Sequence, residues 1–396
     1  MKILVYEWSF ITKQDIYETF IKMGIEFDIF TTGLSPRTKD DKEAFREQLE
    51  SSISDKKYDA LFSVNFQDAL SEVAHEKEIL YICWTYDSPA IGGDRPCLHY
   101  ETNRIFLFDS NEYQMYKKKK VPNLYYMPLA ANVSRLSKIR IRPMDRAKYF
   151  SDISFVGTLY QSDMDKMFPL FDEYSAGFMA AVINTQLNLY GVDIIQELIN
   201  DTVVESMCNE QVSEQLLKNI NNNFLRDIEE LKAWNFRAFL LKAVTNKERV
   251  LLLSLLGKYY RVKLYTNGTP DIPNVSVNGV IDYMDDMPFV FKCSRINLNI
   301  TLRTIKHGMP QRIIDILGCH ALALTNYQED LMEYFRDGRD LLIYSSPEEA
   351  LEKCKYYLKH ENEAEKIRNN GYKIVKDQFS YEHQLRKIWE LSGLKI

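Results

Sequence analysis

Residues Ile296 to Asp330 read INLNITLRTIKHGMPQRIIDILGCHALALTNYQED, and the order of apolar, turn and charged residues in this stretch decides the fold. The alternation Ile296-Asn297-Leu298-Asn299-Ile300 predicts a strand, Gly308 and Pro310 break the chain, Gln311 to Leu317 predicts a helix, and Ala321 to Leu324 predicts a second strand. Strand, turn, helix and strand form the repeating unit of an open parallel sheet. The turn of such a unit lies at the carboxyl ends of the strands, where backbone N–H groups and the helix dipole favour an anion. Arg303, Lys306, His307 and Arg312 crowd this turn, so a phosphate-bearing ligand is the expectation.

The same alternation extends outward in both directions. Lys2–Tyr6, Phe27–Thr31, Ala60–Val64, Leu80–Thr85, Ile105–Phe108 and Leu124–Pro128 read as short strands, with helices over Lys13–Met23 and Lys42–Ser52. A second start follows at Ile153-Ser154-Phe155-Val156, which runs into Gly157-Thr158. Strands resume at Val262–Tyr265 and Leu341–Tyr344, and Ser346-Pro347-Glu348-Glu349 opens a helix with a cap, a first-turn proline and capping acids. The prediction is an α/β protein of two parallel-sheet domains facing a cleft, residues 1–140 and 150–379. A helical insertion spans about 160–245, with Ile220, Phe224, Ile228 and Leu231 on one stripe. Thr245 with Glu248 reads as a capping box for the next helix, and the basic segment Arg135 to Lys148 as the hinge.

Bulk composition narrows the function. A chain of 396 residues with 45% hydrophobic and 27% charged residues has material for two or three ordinary globular cores. The net charge of −6 and scattered basic residues leave no nucleic-acid footprint. Lys117 to Lys120, beside Tyr113, Tyr116, Tyr125 and Tyr126, is the exception: it reads as a solvated helix end or as a contact with an anionic membrane surface. Six cysteines without CxxC spacing indicate cytoplasmic usage and no zinc site, and no run reaches membrane-spanning length.

Polar residues that follow strands are the candidates for chemistry. In the first half these are Glu7, Asn65, Asp87 and Asp109, each of which could instead cap a helix. Asp87, in a loop with Trp84 and Tyr86 before it and Pro89 and Gly92-Gly93 after it, suits a pocket wall and a base for an acceptor hydroxyl. Trp84 and Tyr86 are candidates to stack on an acceptor sugar, or core aromatics. In the second half, Gly157-Thr158 would let backbone approach a ligand, and Arg312 is able to grip phosphate bidentately. The bland alternative is an i,i+3 ion pair between Arg312 and Asp315, worth a few tenths of a kcal/mol.

At these residues the chain resembles the glycosyltransferases of the GT-B fold, and within them the group similar to spore maturation protein CgeB. The resemblance is carried by Asn297-Leu298-Asn299, Arg303, Gly308, Pro310, Arg312, Asp315 to Gly318, Leu324-Thr325-Asn326 and Tyr334-Phe335, with Trp84 to Pro89 in the first half. It implies two Rossmann-like domains and transfer, without a metal or cofactor, of a hexosyl or deoxyhexosyl group from a UDP-, GDP- or dTDP-sugar. The acceptor would be a glycan, protein or lipid-linked hydroxyl in cell-surface glycan biosynthesis. Many retaining members carry two acids around this turn, and His307 and Asp315 hold those places, with Asp315 facing the ribose. Arg303, Lys306 and Arg312 would supply the diphosphate charge, with Asn299 and Gly308 beside them. Tyr265, Gly279, Val280 and Tyr283 would lie toward the base, and the segment from Ser380 would form a helix, 380–394, crossing back to the first domain. A nucleotide-sugar epimerase of the same fold and a non-catalytic coat or assembly protein with a vestigial cleft are the rival readings.

Overall fold

A computed structural model describes residues 1–34, 41–54, 57–90, 93–219 and 228–395; Gly92, Ile220 and Phe224 lie outside these. Two six-stranded sheets, every pairing parallel, organise the chain. The first comprises β1 (Lys2–Tyr6), β2 (Glu26–Phe30), β3 (Ala60–Val64), β4 (Leu80–Trp84), β5 (Asn103–Leu107) and β6 (Leu124–Tyr126), in the order β2-β1-β3-β4-β5-β6. The second comprises β7 (Ser151–Val156), β8 (Val262–Tyr265), β9 (Val275–Asn278), β10 (Ser294–Asn299), β11 (Ala323–Asn326) and β12 (Leu342–Tyr344), in the order β12-β11-β10-β7-β8-β9. Each sheet is covered on both faces, which is why β3 is buried at every position and reads as a continuous apolar run. Strand order reverses beside β7, between β7 and β10, and a doubly wound sheet binds its ligands at such a switch point.

The asparagines of β10 are polar residues inside this core. Asn297 and Asn299 are buried, and each is satisfied: Ser154 Oγ donates to Asn297 Oδ1 (2.8 Å), and Asn299 Nδ2 donates to the hydroxyls of Thr301 (2.9 Å) and Thr325 (3.0 Å).

The insertion has its own apolar cluster, built by Met179, Ile183, Ile195, Phe236, Leu240 and Val244 among others. One long helix, Ile228–Gly257, belongs to both layers: Phe236 to Val244 pack inside the insertion, whereas Leu252, Leu253 and Leu256 pack against the sheet. Thr245 and Glu248 therefore sit inside this helix and form no capping box. The Thr245 hydroxyl donates back to Leu241 O (2.8 Å) and accepts from Arg303 N (3.0 Å). A Ser/Thr-x-x-Glu pattern cannot distinguish a helix start from a buried helical face that receives a partner.

The boundary between domains also differs from the expected hinge. Val133, Leu136 and Tyr149 already pack in the core of the second domain, so Arg135–Lys148 is a part of that domain. The chain crosses at Ala131 and returns at Ser380, and the two crossings are bridged: Ala131 N donates to Phe379 O (2.9 Å) and Tyr381 N to Ala131 O (3.3 Å). The final helix, Tyr381–Leu391, buries Tyr381, Leu385, Ile388 and Trp389 against Phe20 and Phe62 of the first domain.

Candidate functional site

The segment between β10 and the helix Gln311–Gly318 spans the gap between the domains. Thr304 Oγ1 donates to Ser88 O (2.9 Å), Lys306 N donates to Asp109 Oδ2 (2.9 Å), and His307 Nδ1 meets Ser110 Oγ at 3.2 Å. At Gly308 an added Cβ would stand 2.9 Å from the Phe108 ring and 3.0 Å from Asp109 Cα, so close approach of the two domains demands glycine there. The carboxyl ends of the two sheets therefore face each other across this turn.

Arg312, in the first turn of the Gln311–Gly318 helix, reaches back to the switch point. Its Nε donates to Val156 O (2.6 Å) at the end of β7, and its Nη1 donates to Asn299 Oδ1 (2.7 Å) at the end of β10. Gly157, with φ of +156°, lies directly beneath: a Cβ there would be 2.6 Å from Nη2 of Arg312. Arg249, from the long helix, approaches the same strand ends. Its Nε and Nη2 donate to Ile300 O (3.2 and 2.5 Å), and Nη1 donates to Thr158 O. Both guanidinium groups lie over the Phe155 ring, at 5.1 Å for Arg249 and 4.9 Å for Arg312.

Among the described residues no carboxylate is within ion-pair distance of either arginine. The neighbouring acids are turned elsewhere: Glu248 pairs with Arg303 (2.9 Å), and Asp315 Oδ1 accepts from Tyr283 (3.0 Å) and Gln311 (2.9 Å). Burial, followed by the repulsion of Arg249, pushes the Arg312 guanidinium down to about 9, which leaves it charged at neutral pH, and burial also lowers that of Arg249. Carbonyl oxygens satisfy their N–H groups but supply no net negative charge. Holding one uncompensated ion away from water costs on the order of several kcal/mol, and here two stand side by side.

The other expected donor-side residues have varied settings. Arg303 and Lys306 are cations already neutralised, Arg303 by Glu248 and Lys306 by Asp193 (2.5 Å). Asn299 is buried behind Arg312 and orients it. Tyr265 is buried, and its carbonyl accepts from Gly157 N (2.9 Å). Thr158 directs its carbonyl to Arg249. Gly279 and Val280 form an exposed loop beyond β9, with nothing within 4 Å of a Cβ at Gly279. Asp315 is 2% exposed, and burial raises its carboxyl to about 7, so a ribose would reach it only by displacing Tyr283. The Arg312–Asp315 ion pair of the bland reading does not form. His307 faces the first domain, its Nε2 3.1 Å from Glu329 Oε2.

Among the candidates in the first domain, Trp84 is 0% exposed and packs edge-on to Tyr86 and Tyr381, so it belongs to the core and cannot stack on a sugar. The half-buried Tyr86 donates to the Tyr381 hydroxyl (3.2 Å). Glu7 is held by Lys13 (3.2 Å) and Tyr17 (2.9 Å). Asp87 stands exposed at the end of β4, and Asn65, at the end of β3, orients it through a 2.6 Å bond from Nδ2 while accepting from the backbone of Tyr86 and Asp87.

Arg249 had no signal of its own: Lys247-Glu248-Arg249 reads as a solvated helical turn. The apolar run Val250 to Leu256 that follows it was the available warning that this stretch of helix is enclosed.

Comparison with known proteins agrees with this fold. Sucrose-phosphate synthase from Thermosynechococcus elongatus superposes with a TM-score of 0.58 at 9% identity, covering 99% of this chain and 98% of its own. A glycosyltransferase from Rickettsia africae gives 0.54 at 11% identity over 99% and 97%, and Anabaena HepE in complex with UDP-glucose gives 0.55 at 11% identity over 100% of both chains. The fold is GT-B. Residues 237–390 match the family model described as glycosyl transferase-like, a stretch that begins inside the long helix and includes Arg249 and Arg312. No curated protein matches the chain in sequence.

Proposed function

We propose that the protein transfers a sugar from a nucleotide-diphosphate donor, held by the second domain, to a hydroxyl of an acceptor at the first. The observation that carries this is the charge of Arg312 at the β7/β10 switch point, with no carboxylate among the described residues within ion-pair distance, and set over Gly157. As the bond between the sugar C1 and the diphosphate oxygen breaks, negative charge grows on the leaving diphosphate. A fixed guanidinium stabilises that charge without a divalent ion. Asp87, oriented by Asn65 and exposed, takes the proton of the acceptor hydroxyl as its oxygen bonds to C1, which gives inversion. His307, held at the domain junction, positions the turn that meets the acceptor.

UDP-glucose heads the donors to be tried, since HepE is seen with it, followed by GDP- and dTDP-sugars with glycan, protein and lipid-linked acceptors. The CgeB-like grouping and a hexosyl or deoxyhexosyl donor in cell-surface glycan synthesis belong to the same reading, as does a cytoplasmic setting. Contact of Lys117–Lys120 with anionic lipid belongs to it too. These lysines are exposed at and beyond the end of the helix Ser110–Lys118. No helix among the described residues is long and apolar enough to cross a membrane.

The test is transfer by the wild type and by Arg312→Ala, with circular dichroism to show that the variant folds. The variant should lose at least a hundredfold in kcat/KM, the scale for removing one preorganised charge from a leaving group. Undiminished turnover, or conversion of the donor without any acceptor, would refute the proposal.

A further inference from the structure

The long helix places Arg249 at the seam between the insertion and the sheet, 2% exposed and followed by Val250 to Leu256. Three of its N–H groups hold the carbonyls of Thr158 and Ile300, which fixes the direction of the guanidinium but leaves its charge unanswered. Arg312 is in the same condition at the same two strand ends, held by Val156 O and Asn299 Oδ1. Two further ties join the insertion to the turn. Arg303 Nη1 donates to Leu189 O (2.9 Å) and Lys306 pairs with Asp193, so the loop after the helix Glu173–Leu187 docks where the turn begins.

We propose that the insertion is a working half of the donor site: Arg249, carried by its long helix, joins Arg312 in gripping the diphosphate, and anion binding fastens the insertion to the sheet. The inference rests on the donor reading above and adds to it a residue and a linkage. Once a diphosphate lies between the two guanidinium groups their mutual repulsion is offset, and the seam that carries Arg249 is held from both sides. Binding that favours the docked arrangement necessarily stabilises it. A structural staple alone would hold the carbonyls without responding to anions.

The experiment uses inorganic pyrophosphate and uridine as separate probes on the full chain. Pyrophosphate should bind the wild type and slow amide exchange in Glu173–Leu187 and Ile194–Leu198, whereas uridine should not slow it. Arg249→Met should weaken pyrophosphate at least tenfold and leave uridine affinity within twofold, and Arg249→Lys should recover part of the loss. Pyrophosphate affinity equal to wild type in Arg249→Met, or unchanged exchange in the insertion, overturns the inference. Should Arg249→Met fail to fold, wild-type crystals with pyrophosphate decide it: phosphate oxygens within hydrogen-bond reach of Arg249 and Arg312 support it, and phosphate bound elsewhere overturns it. Failure of the transferase reading is separable, because pyrophosphate binding that depends on Arg249 would then persist without turnover of any nucleotide sugar.

Discussion

Asp315 shows how much one residue's setting can change its chemistry. Burial raises its carboxyl to about 7 from an ordinary value of 3.8, with the neighbouring Asp15 acting in the same direction and Gln311, Tyr283 and Arg135 opposing. The folded state therefore keeps a proton that the unfolded chain releases. Between pH 3.8 and 7 stability falls as pH rises, by up to about 1.4 kcal/mol per unit, and it levels off above 7. Asp315→Asn, which can still accept from Tyr283 and Gln311, should gain on the wild type in urea melts as the pH is raised from 5 to 8; parallel curves would contradict this. Asp87, by contrast, is exposed and accepts from the Asn65 amide. Asp87→Asn should abolish transfer while leaving the donor dissociation constant within twofold, as read by calorimetry. At this scale local spacing marked the Gly308–Pro310 turn and the helix that follows it. It could not show that Arg303 meets an acid from a distant helix, or that Trp84 is enclosed, because both depend on partners far along the chain.

At the scale of elements, the long helix and the Thr304–Met309 turn are one assembly. Glu248 is enclosed with the Arg303 guanidinium and accepts from the hydroxyls of Tyr190 (2.9 Å) and Tyr344 (3.2 Å), and the guanidinium lies 4.2 Å from the Tyr190 ring centroid. Glu248→Ala would strand that cation, and the expected cost is about 3–5 kcal/mol. The same variant should raise the donor KM more than it lowers kcat, since it loosens the turn ahead of Arg312; a melting temperature equal to wild type would count against the network. Strands and crossover helices were legible because a parallel sheet writes itself as short apolar runs between helical periods. The continuity of Ile228–Gly257 was not, because an amphipathic period changes when one helix passes from one core to another. Thr245 and Glu248 then imitate a start.

For the whole molecule, the final helix closes the first domain. Trp389, buried against Phe20 and Phe62 at ring distances of 5.7 and 5.9 Å, is the largest group it contributes. Trp389→Ala should cost about 3–5 kcal/mol, seen as a lowered melting temperature with pyrophosphate binding retained by the surviving protein. The two-domain plan was readable from two successive strand-helix series, and the crossing point was not, since nothing in Ala131 or Ser380 marks a bridge between distant segments. That bridge has a mechanical meaning. The chain leaves the first domain and re-enters it through neighbouring, hydrogen-bonded backbones, so the second domain is a cassette nested in the first, with its two ends side by side. Two cuts made at that bridge would release the nested body and leave the first domain with two neighbouring ends to rejoin.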